Sequence, residues 1–161
     1  MEIERKFLTK TIPFDITKYP FLQLTQAYVS TSPTIRIRRS NEDYILTVKG
    51  KGHLAREEFE LPLTQAEYEA LLQKCEGVPV IKKRYLVPLE QGLTAEVDIY
   101  EGALAGLMTT EVEFPSIEAA EAFRAPAWFG EDVSRNPAYK NTSLSLRGLP
   151  TKGSLSQKGN F

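Results

Sequence analysis

Charged and apolar residues alternate in short segments along most of the chain. The opening octamer, MEIERKFL, would place Glu2, Glu4 and Lys6 on one face of a strand and Ile3 and Phe7 on the other. Taken alone, the octamer also allows a short helix, since Glu2 and Lys6 stand at i,i+4 in the favourable order. A strand with its charges turned to water is a further alternative.

Later segments repeat the alternation, which favours strands over helices for most of the chain. Turn-forming Pro, Gly, Asn and Ser residues separate most of these segments. Eight strands are predicted, at about 2–9, 22–30, 34–39, 43–50, 55–61, 80–88, 93–101 and 107–114. So many strands would leave exposed edges in an open sheet, whereas closure into a barrel removes them.

Helix signals are fewer and follow capping patterns. Three helices are predicted, at 64–76, at 116–123 and from about Pro137. Thr64 and Glu67 form a capping box at the start of the first helix, and Gly77 is expected to end it. Asn136 is the expected cap of the third helix, with proline in its first position.

Composition limits the possible function classes. The chain has 161 residues and a net charge of −1, so it has no overall attraction for nucleic acid or anionic membranes. Its lone cysteine, Cys75, excludes an internal disulfide, and no apolar run is long enough to span a bilayer. These features predict a soluble, cytoplasmic protein with one domain over 1–149. Residues 150–161, rich in Gly, Ser and Lys, are predicted to form a disordered tail.

The charges on the alternating strands are sorted by sign. Most strands carry two formal charges at i,i+2, with acids paired on some strands and bases on others. This order predicts a β-dominated α+β fold: a closed or nearly closed antiparallel eight-stranded barrel, charged inside, with helices packed outside. The candidate interior acids are Glu2, Glu4, Glu58, Glu60, Glu96, Asp98, Glu111 and Glu113. The candidate interior bases are Lys6, Arg36, Arg38, Lys49, Lys82 and Arg84.

Such an interior calls for bound ions. Two like charges about 4 Å apart repel by about 4 kcal/mol at an effective dielectric of ~20, so neighbouring carboxylates need cations. Carboxylates without histidine or thiolate clusters favour Mg²⁺ or Mn²⁺ over Zn²⁺, and converging guanidinium and ammonium groups suit phosphate oxygens. Eight acids and six bases leave two negative charges. Two divalent cations would change the net charge of the interior from about two negative to about two positive. That charge would offset much of the charge of a triphosphate, which carries about four to five negative charges.

The ordered motifs resemble a known family. Glu2-Ile-Glu4-Arg-Lys6 is similar to the E-x-E-x-K signature of CYTH domains, also called triphosphate tunnel metalloenzymes, and the resemblance extends to about Leu149. The supporting positions are Arg36 and Arg38, Lys49, Glu58 and Glu60, Lys82 and Arg84, Glu96 and Asp98, and Glu111 and Glu113. PAWFGEDVSRNPAYKN also resembles the C-terminal signature of the short bacterial members. A single E-x-E-x-K motif is weak evidence for the family, whereas the whole ordered series of motifs is strong evidence.

The resemblance implies a barrel that forms a tunnel and hydrolyses or cyclises triphosphate-containing substrates with Mg²⁺ or Mn²⁺. The chain looks most like the short inorganic triphosphatases; relatives include thiamine triphosphatases, RNA triphosphatases and class IV adenylate cyclases. No insertion or aromatic cluster in the sequence suggests a purine site, which weakens the cyclase alternative. A non-catalytic module that binds polyphosphate or nucleotides also remains open, because binding and hydrolysis need similar residues.

Specific roles follow for the hydrolase hypothesis. Tyr28 and Lys82 are the catalytic candidates, although a core role for Tyr28 is an equal alternative. Lys140 contacts phosphate from the tunnel mouth or else covers the C-terminal helix, and His53 is assigned to a hairpin loop rather than to catalysis. The expected metal ligands are Glu2, Glu4, Glu60, Asp98, Glu111 and Glu113, with Glu58 and Glu96 beside them or positioning water. The expected triphosphate ligands are Lys6, Arg36, Arg38, Lys49, Lys82, Arg84 and Lys140.

The expected partner is a small polyphosphate, without nucleic acid or membrane. A homodimer is possible, and the sequence does not decide the oligomeric state.

Overall fold

Ten strands and three α-helices make up the computed structural model, which describes residues 2–52 and 54–150. The strands are β1 Glu2–Thr9, β2 Phe21–Thr31, β3 Thr34–Ser40, β4 Asp43–Lys49, β5 Ala55–Arg56, β6 Glu58–Leu63, β7 Glu76–Pro88, β8 Thr94–Glu101, β9 Met108–Glu113 and β10 Phe129–Asp132. The helices are α1 Gln65–Leu72, α2 Ile117–Ala122 and α3 Asn141–Arg147. His53 and residues 151–161, which include nearly all of the predicted tail, lie outside the described residues.

The strands form one antiparallel sheet that nearly closes on itself. Its order is β10-β1-β9-β8-β7-β2-β3-β4-β6, and β5 pairs with β1 through Glu2 opposite Arg56. Because β5 directly precedes β6 in the chain, this short pairing brings the far end of the sheet back to β1. The predicted β-dominated, nearly closed antiparallel barrel is therefore confirmed.

The apolar faces of the strands point outward. Phe7, Val97 and Val112 pack in a cluster outside the barrel, to which α2 contributes the fully buried Ala120. A second outer cluster joins β2 and β3 to Tyr68 of α1. Burying these faces under the helices gives the hydrophobic stabilisation without using the interior, so charged side chains can occupy the lumen.

Helix α3 closes one end of the lumen. Leu144 of α3 is fully buried against Val80 and Tyr100, which share the inward faces of their strands with the charged residues. The Tyr100 hydroxyl also lies 3.2 Å from Asn141 Oδ1 at the start of α3. The helix and the loop before it thus bring a further set of polar side chains to the lumen.

Several boundaries differ from the sequence prediction. Asn136 caps a short 3-10 turn at Pro137–Tyr139 rather than the predicted third helix, and α3 begins only at Asn141. The predicted strand at 55–61 is divided at Glu57 into β5 and β6, and β10 was not predicted. The capping box of Thr64 and Glu67 is present as predicted, but α1 ends at Leu72, well before Gly77. Gly77 belongs instead to β7, where its φ of +66° and its contact with α3 require glycine.

Gly77→Ala is expected to destabilise the protein. An alanine Cβ at this position would lie 2.5 Å from the backbone oxygen of Ser145 in α3, in addition to the strain of its positive φ. We expect a loss of about 2 to 3 kcal/mol from strain and overpacking together, measured by chemical denaturation. Gly92→Ala is the matched control, because its φ is +73° and nothing lies within 4 Å of the added Cβ. Equal losses in the two variants would contradict the contact with α3.

None of the helices in the described residues is long and apolar enough to cross a membrane.

Candidate active site

The barrel encloses a charged cavity of about 320 Å³. Its described wall holds seven acids and seven bases. The acids are Glu2, Glu4, Glu58, Glu60, Glu96, Glu111 and Glu113. The bases are Lys6, Arg36, Arg38, Lys49, Arg56, Arg84 and Lys140. The wall therefore contains every predicted metal-binding or phosphate-binding residue except Lys82 and Asp98, together with Tyr28 and with Arg56, which the sequence prediction left out.

Strand register brings the acidic residues together. Glu4 on β1 is directly opposite Glu113 on β9, and Lys6 is opposite Glu111 in the same pair of strands. Glu111 is also opposite Glu96 on β8. Because opposite residues in an antiparallel pair have Cβ atoms about 4.5–5.5 Å apart, these carboxylates crowd one side of the wall.

Several wall charges are already paired with one another. Lys49 Nζ lies 3.0 Å from Glu2 Oε1 and 3.7 Å from Glu58 Oε2, and Arg56 Nε lies 3.5 Å from the same Glu2 oxygen. Arg84 reaches Glu96 and Glu111, each at 3.4 Å. These pairs link different strands of the wall.

Three wall carboxylates make no ion pair with the described residues: Glu4, Glu60 and Glu113. Burial, together with the charges of Glu111 and Glu2, raises the pKa of Glu4 well above its ordinary value. Burial and the charges of Glu2 and Glu58 also raise the pKa of Glu113. A bound cation would relieve the repulsion among these carboxylates.

Four wall cations likewise lack a carboxylate partner among the described residues: Lys6, Arg36, Arg38 and Lys140. Lys6 Nζ donates to the backbone oxygen of Tyr139 at 2.6 Å, and Arg36 donates from one terminal nitrogen to Thr47. Arg36 Nε is buried without any hydrogen-bond partner in the described part of the chain. Burial and the charges of Arg36 and Arg84 lower the pKa of Arg38 to about 9, which leaves it cationic at neutral pH.

Lys82 and Asp98 lie beneath the wall rather than in it. Both side chains are fully buried, with Lys82 Nζ 2.7 Å from Asp98 Oδ2. Arg84 donates to both Asp98 oxygens at 2.8 Å, so one carboxylate serves two cations. Burial lowers the pKa of Lys82 to about 7, because the opposing effect of Asp98 is smaller than the cost of burying the charged ammonium.

Tyr28 belongs to the wall, with its hydroxyl bonded to a residue that the sequence prediction missed. Gln26 Nε2 donates to the Tyr28 hydroxyl at 2.8 Å, and Gln26 Oε1 accepts two bonds from Arg38. The hydrogen bond of Tyr28 is therefore to Gln26, whereas the ammonium of Lys82 is paired with Asp98. Gln26 is two residues before Tyr28 on β2, so it shares the inward face, and this spacing was the available signal.

The wall does not contain a preformed metal cage. Within residues 2–52 and 54–150, no group of three acidic, histidine or cysteine side chains converges to hold a metal ion. The donor chemistry nevertheless suits a hard cation, because carboxylate oxygens crowd together and the pKa values of Glu4 and Glu113 are raised. Mg²⁺ is commonly held by one or two carboxylates together with substrate phosphates, and this wall fits that pattern.

Fold and site together define a nearly closed antiparallel barrel whose lumen is lined by both acidic and basic side chains. The chain belongs to the CYTH domain family, whose model matches residues 1–149. It is 40% identical over 148 residues to the inorganic triphosphatase of Nitrosomonas europaea, covering 90% of this chain and 97% of that relative. It is 32% identical over 146 residues to the inorganic triphosphatase of Acetivibrio thermocellus, covering 89% and 92%.

A solved structure of an inorganic triphosphatase is also similar in fold. The crystal structure of an inorganic triphosphatase that is 38% identical in sequence matches with a TM-score of 0.68, covering 91% of this chain and 95% of that chain.

Proposed function

We propose that this protein hydrolyses inorganic triphosphate to pyrophosphate and phosphate, with Mg²⁺ or Mn²⁺ as the cofactor. One observation carries the proposal: a single cavity contains four cations without a carboxylate partner and three carboxylates without a cation among the described residues. The first set suits phosphate oxygens, and the second suits a hard cation. The named activities of both curated relatives agree with this assignment.

The charge balance supports a triphosphate with two divalent ions. The sequence count of eight acids and six bases changes in the cavity, because Lys82 and Asp98 lie outside the wall while Arg56 and Lys140 join it. Seven acids and seven bases give a formally neutral wall. Two divalent cations would add four positive charges, close to the roughly four to five negative charges of a triphosphate near neutral pH.

Glu4 and Glu113 are proposed to hold the metal, assisted by Glu2, Glu111 and Glu60. When bound, the metal would neutralise phosphate oxygens and lower the pKa of a coordinated water. Glu58 and Glu96 lie in the same wall and are proposed to position water or orient the ligands. Asp98 fits a different role, because both of its oxygens are already engaged by Arg84 and one also by Lys82.

The cations of the wall are proposed to bind the substrate. Arg36 has a buried donor, Nε, without a partner in the described chain, and a phosphate oxygen would satisfy it. Arg38, Lys6 and Lys140 add further donors around the cavity, and Lys49 and Arg84 can share charge with phosphate while they hold Glu2 and Glu111. Phosphoryl transfer depends mostly on such positioning and charge stabilisation.

The catalytic candidates are proposed to act from different layers of the site. Tyr28 touches the cavity, and burial raises its pKa, so its phenol keeps the proton at neutral pH. Lys82 is proposed to act from beneath the wall, through its pairing with Asp98 beside Arg84. A direct proton transfer by Lys82 stays a prediction.

The wall favours a bare triphosphate over an organic one. Tyr28 is the one aromatic side chain among the described wall residues, and the remainder are charged, small or polar. A purine or thiamine ring would find little to stack against there. This disfavours the adenylate cyclase, thiamine triphosphatase and nucleotide hydrolase alternatives. Absence of nucleic acid partners, a homodimer and a cytoplasmic location remain predictions.

Phosphate release tests the proposal directly. Tripolyphosphate, ATP and thiamine triphosphate are compared with Mg²⁺, with Mn²⁺ and with EDTA. We expect fast release from tripolyphosphate with either metal, at least about tenfold slower release from the organic substrates, and none with EDTA. Cyclic AMP and pyrophosphate from ATP would instead indicate the cyclase. Tight tripolyphosphate binding by the folded protein without any release would indicate the binding module.

A further inference from the structure

Gln26 is a fully buried amide that joins two residues of the cavity wall. Its Nε2 lies 2.8 Å from the Tyr28 hydroxyl, and its Oε1 lies 3.1 Å from Arg38 Nε and 2.8 Å from a terminal nitrogen of Arg38. The amide lies on β2, and Arg38 is directly opposite it on β3. A buried amide that has partners on both sides is held in one orientation, because flipping it would break the bonds on both sides.

The chemistry of Arg38 determines the direction of both contacts. A guanidinium has donors and no acceptor, so the atom of Gln26 that faces Arg38 must be the amide oxygen. The amide nitrogen therefore faces Tyr28, and because that nitrogen can only donate, the phenol oxygen must accept. Tyr28 has one proton on its hydroxyl, and this proton cannot point toward Gln26.

We propose that Gln26 is a positioning residue that turns the Tyr28 hydroxyl proton into the cavity, where it donates a hydrogen bond to a phosphate oxygen of the substrate. The inference rests on the proposed triphosphatase activity and assigns Tyr28 the role of a donor rather than a base. The same amide holds the guanidinium of Arg38 in the wall, so one side chain positions two groups that meet the substrate.

Gln26→Glu reverses one of the two contacts and keeps the other. A carboxylate beside Arg38 stays ionised and has only acceptors, so Arg38 keeps its two bonds. The Tyr28 hydroxyl must then donate to the introduced carboxylate and can no longer donate to the substrate. Gln26→Met is the neutral control of similar length, because it makes neither hydrogen bond and adds no charge.

The test is a double-mutant cycle on tripolyphosphate hydrolysis at saturating metal. We expect Tyr28→Phe to lower kcat by about 100-fold and Gln26→Glu by about 30-fold or more, since both remove the same donor. In the Tyr28→Phe background, Gln26→Glu should change kcat by no more than about twofold, because the hydroxyl that it reorients is already absent. A rise in KM from the added charge would occur in both backgrounds and does not affect this comparison.

Equal losses of kcat from Gln26→Glu with and without the Tyr28 hydroxyl would overturn the inference, as would an unchanged kcat in the single variant. If Gln26→Glu does not fold, the cycle is run with Gln26→Met, whose loss of kcat should be smaller in the Tyr28→Phe background, because the part that acts through Tyr28 disappears while the part that acts through Arg38 remains in both backgrounds. Absence of hydrolysis by the folded wild-type protein would overturn the proposed function, and the inference with it. Wild-type activity together with an additive cycle would overturn the inference alone.

Discussion

Replacing Glu111 with glutamine is expected to lower kcat on tripolyphosphate by about 1000-fold, equivalent to about 4 kcal/mol of transition-state stabilisation. Glu111 is buried in the middle of the acidic wall, opposite both Lys6 and Glu96. Burial alone would raise its pKa, but Arg84, Lys6 and Lys82 outweigh that effect and lower the pKa, so the side chain is an anion at neutral pH. An amide has the same shape without the negative charge that a hard cation requires.

The variant should fold normally, because Arg84 keeps Asp98 and Glu96 as partners. The measurement is phosphate release over a range of Mg²⁺ and Mn²⁺ concentrations, with thermal unfolding as the check on folding. Glu57→Gln is the matched control: it makes the same change at an exposed residue outside the cavity wall, and its activity should stay within about twofold of wild type. Unchanged kcat in the Glu111 variant would contradict the placement of the metal.

Much of the barrel could be predicted because its sequence carries two signals at once. Alternation at a period of two residues identifies the strands, and sorted charges such as Arg36 with Arg38 identify the inward face. On an ordinary half-exposed sheet that face would meet water, so charge pairs on strand after strand implied closure. The register then brought Glu4 opposite Glu113, a juxtaposition that no single strand reveals.

The sequence could not predict which inward-facing side chains line the cavity and which lie beneath its surface. Lys82 and Arg84 share a face and are both basic, yet Lys82 lies beneath the cavity while Arg84 lines it. Depth along the barrel axis follows from strand tilt and from α3 closing one end, and a period of two carries no information about either. Gln26 was missed for a related reason, because an uncharged residue does not stand out among sorted charges.

Asp98→Asn is expected to lower the free energy of unfolding at pH 7 by about 3 to 5 kcal/mol, the usual cost of removing one member of a buried charge cluster. Asp98 is the shared partner of Lys82 and Arg84, so the variant leaves two buried cations with less compensation. An asparagine would also direct its own N–H donors toward a guanidinium that has only donors. Urea denaturation measures the loss. Lys82→Met is the informative companion, because it leaves Asp98 and Arg84 paired and should destabilise the fold much less.

The pH dependence of this loss of stability shows whether Asp98 acts through its negative charge or through its packing. Burial alone would raise the pKa of Asp98, but Arg84 and Lys82 outweigh it and hold the pKa below its ordinary value. A lowered folded-state pKa means that the contribution of Asp98 is complete above the unfolded pKa of about 3.9 and fades as the pH falls further, through the folded pKa. The Asp98 contribution to the stability gap between wild type and Asp98→Asn should therefore disappear below about pH 4, whereas closer to pH 7 the gap also varies with the proton of Lys82, whose lowered pKa is opposed by Asp98. A gap of the same size at every pH would mean that Asp98 stabilises the barrel by packing rather than by its charge.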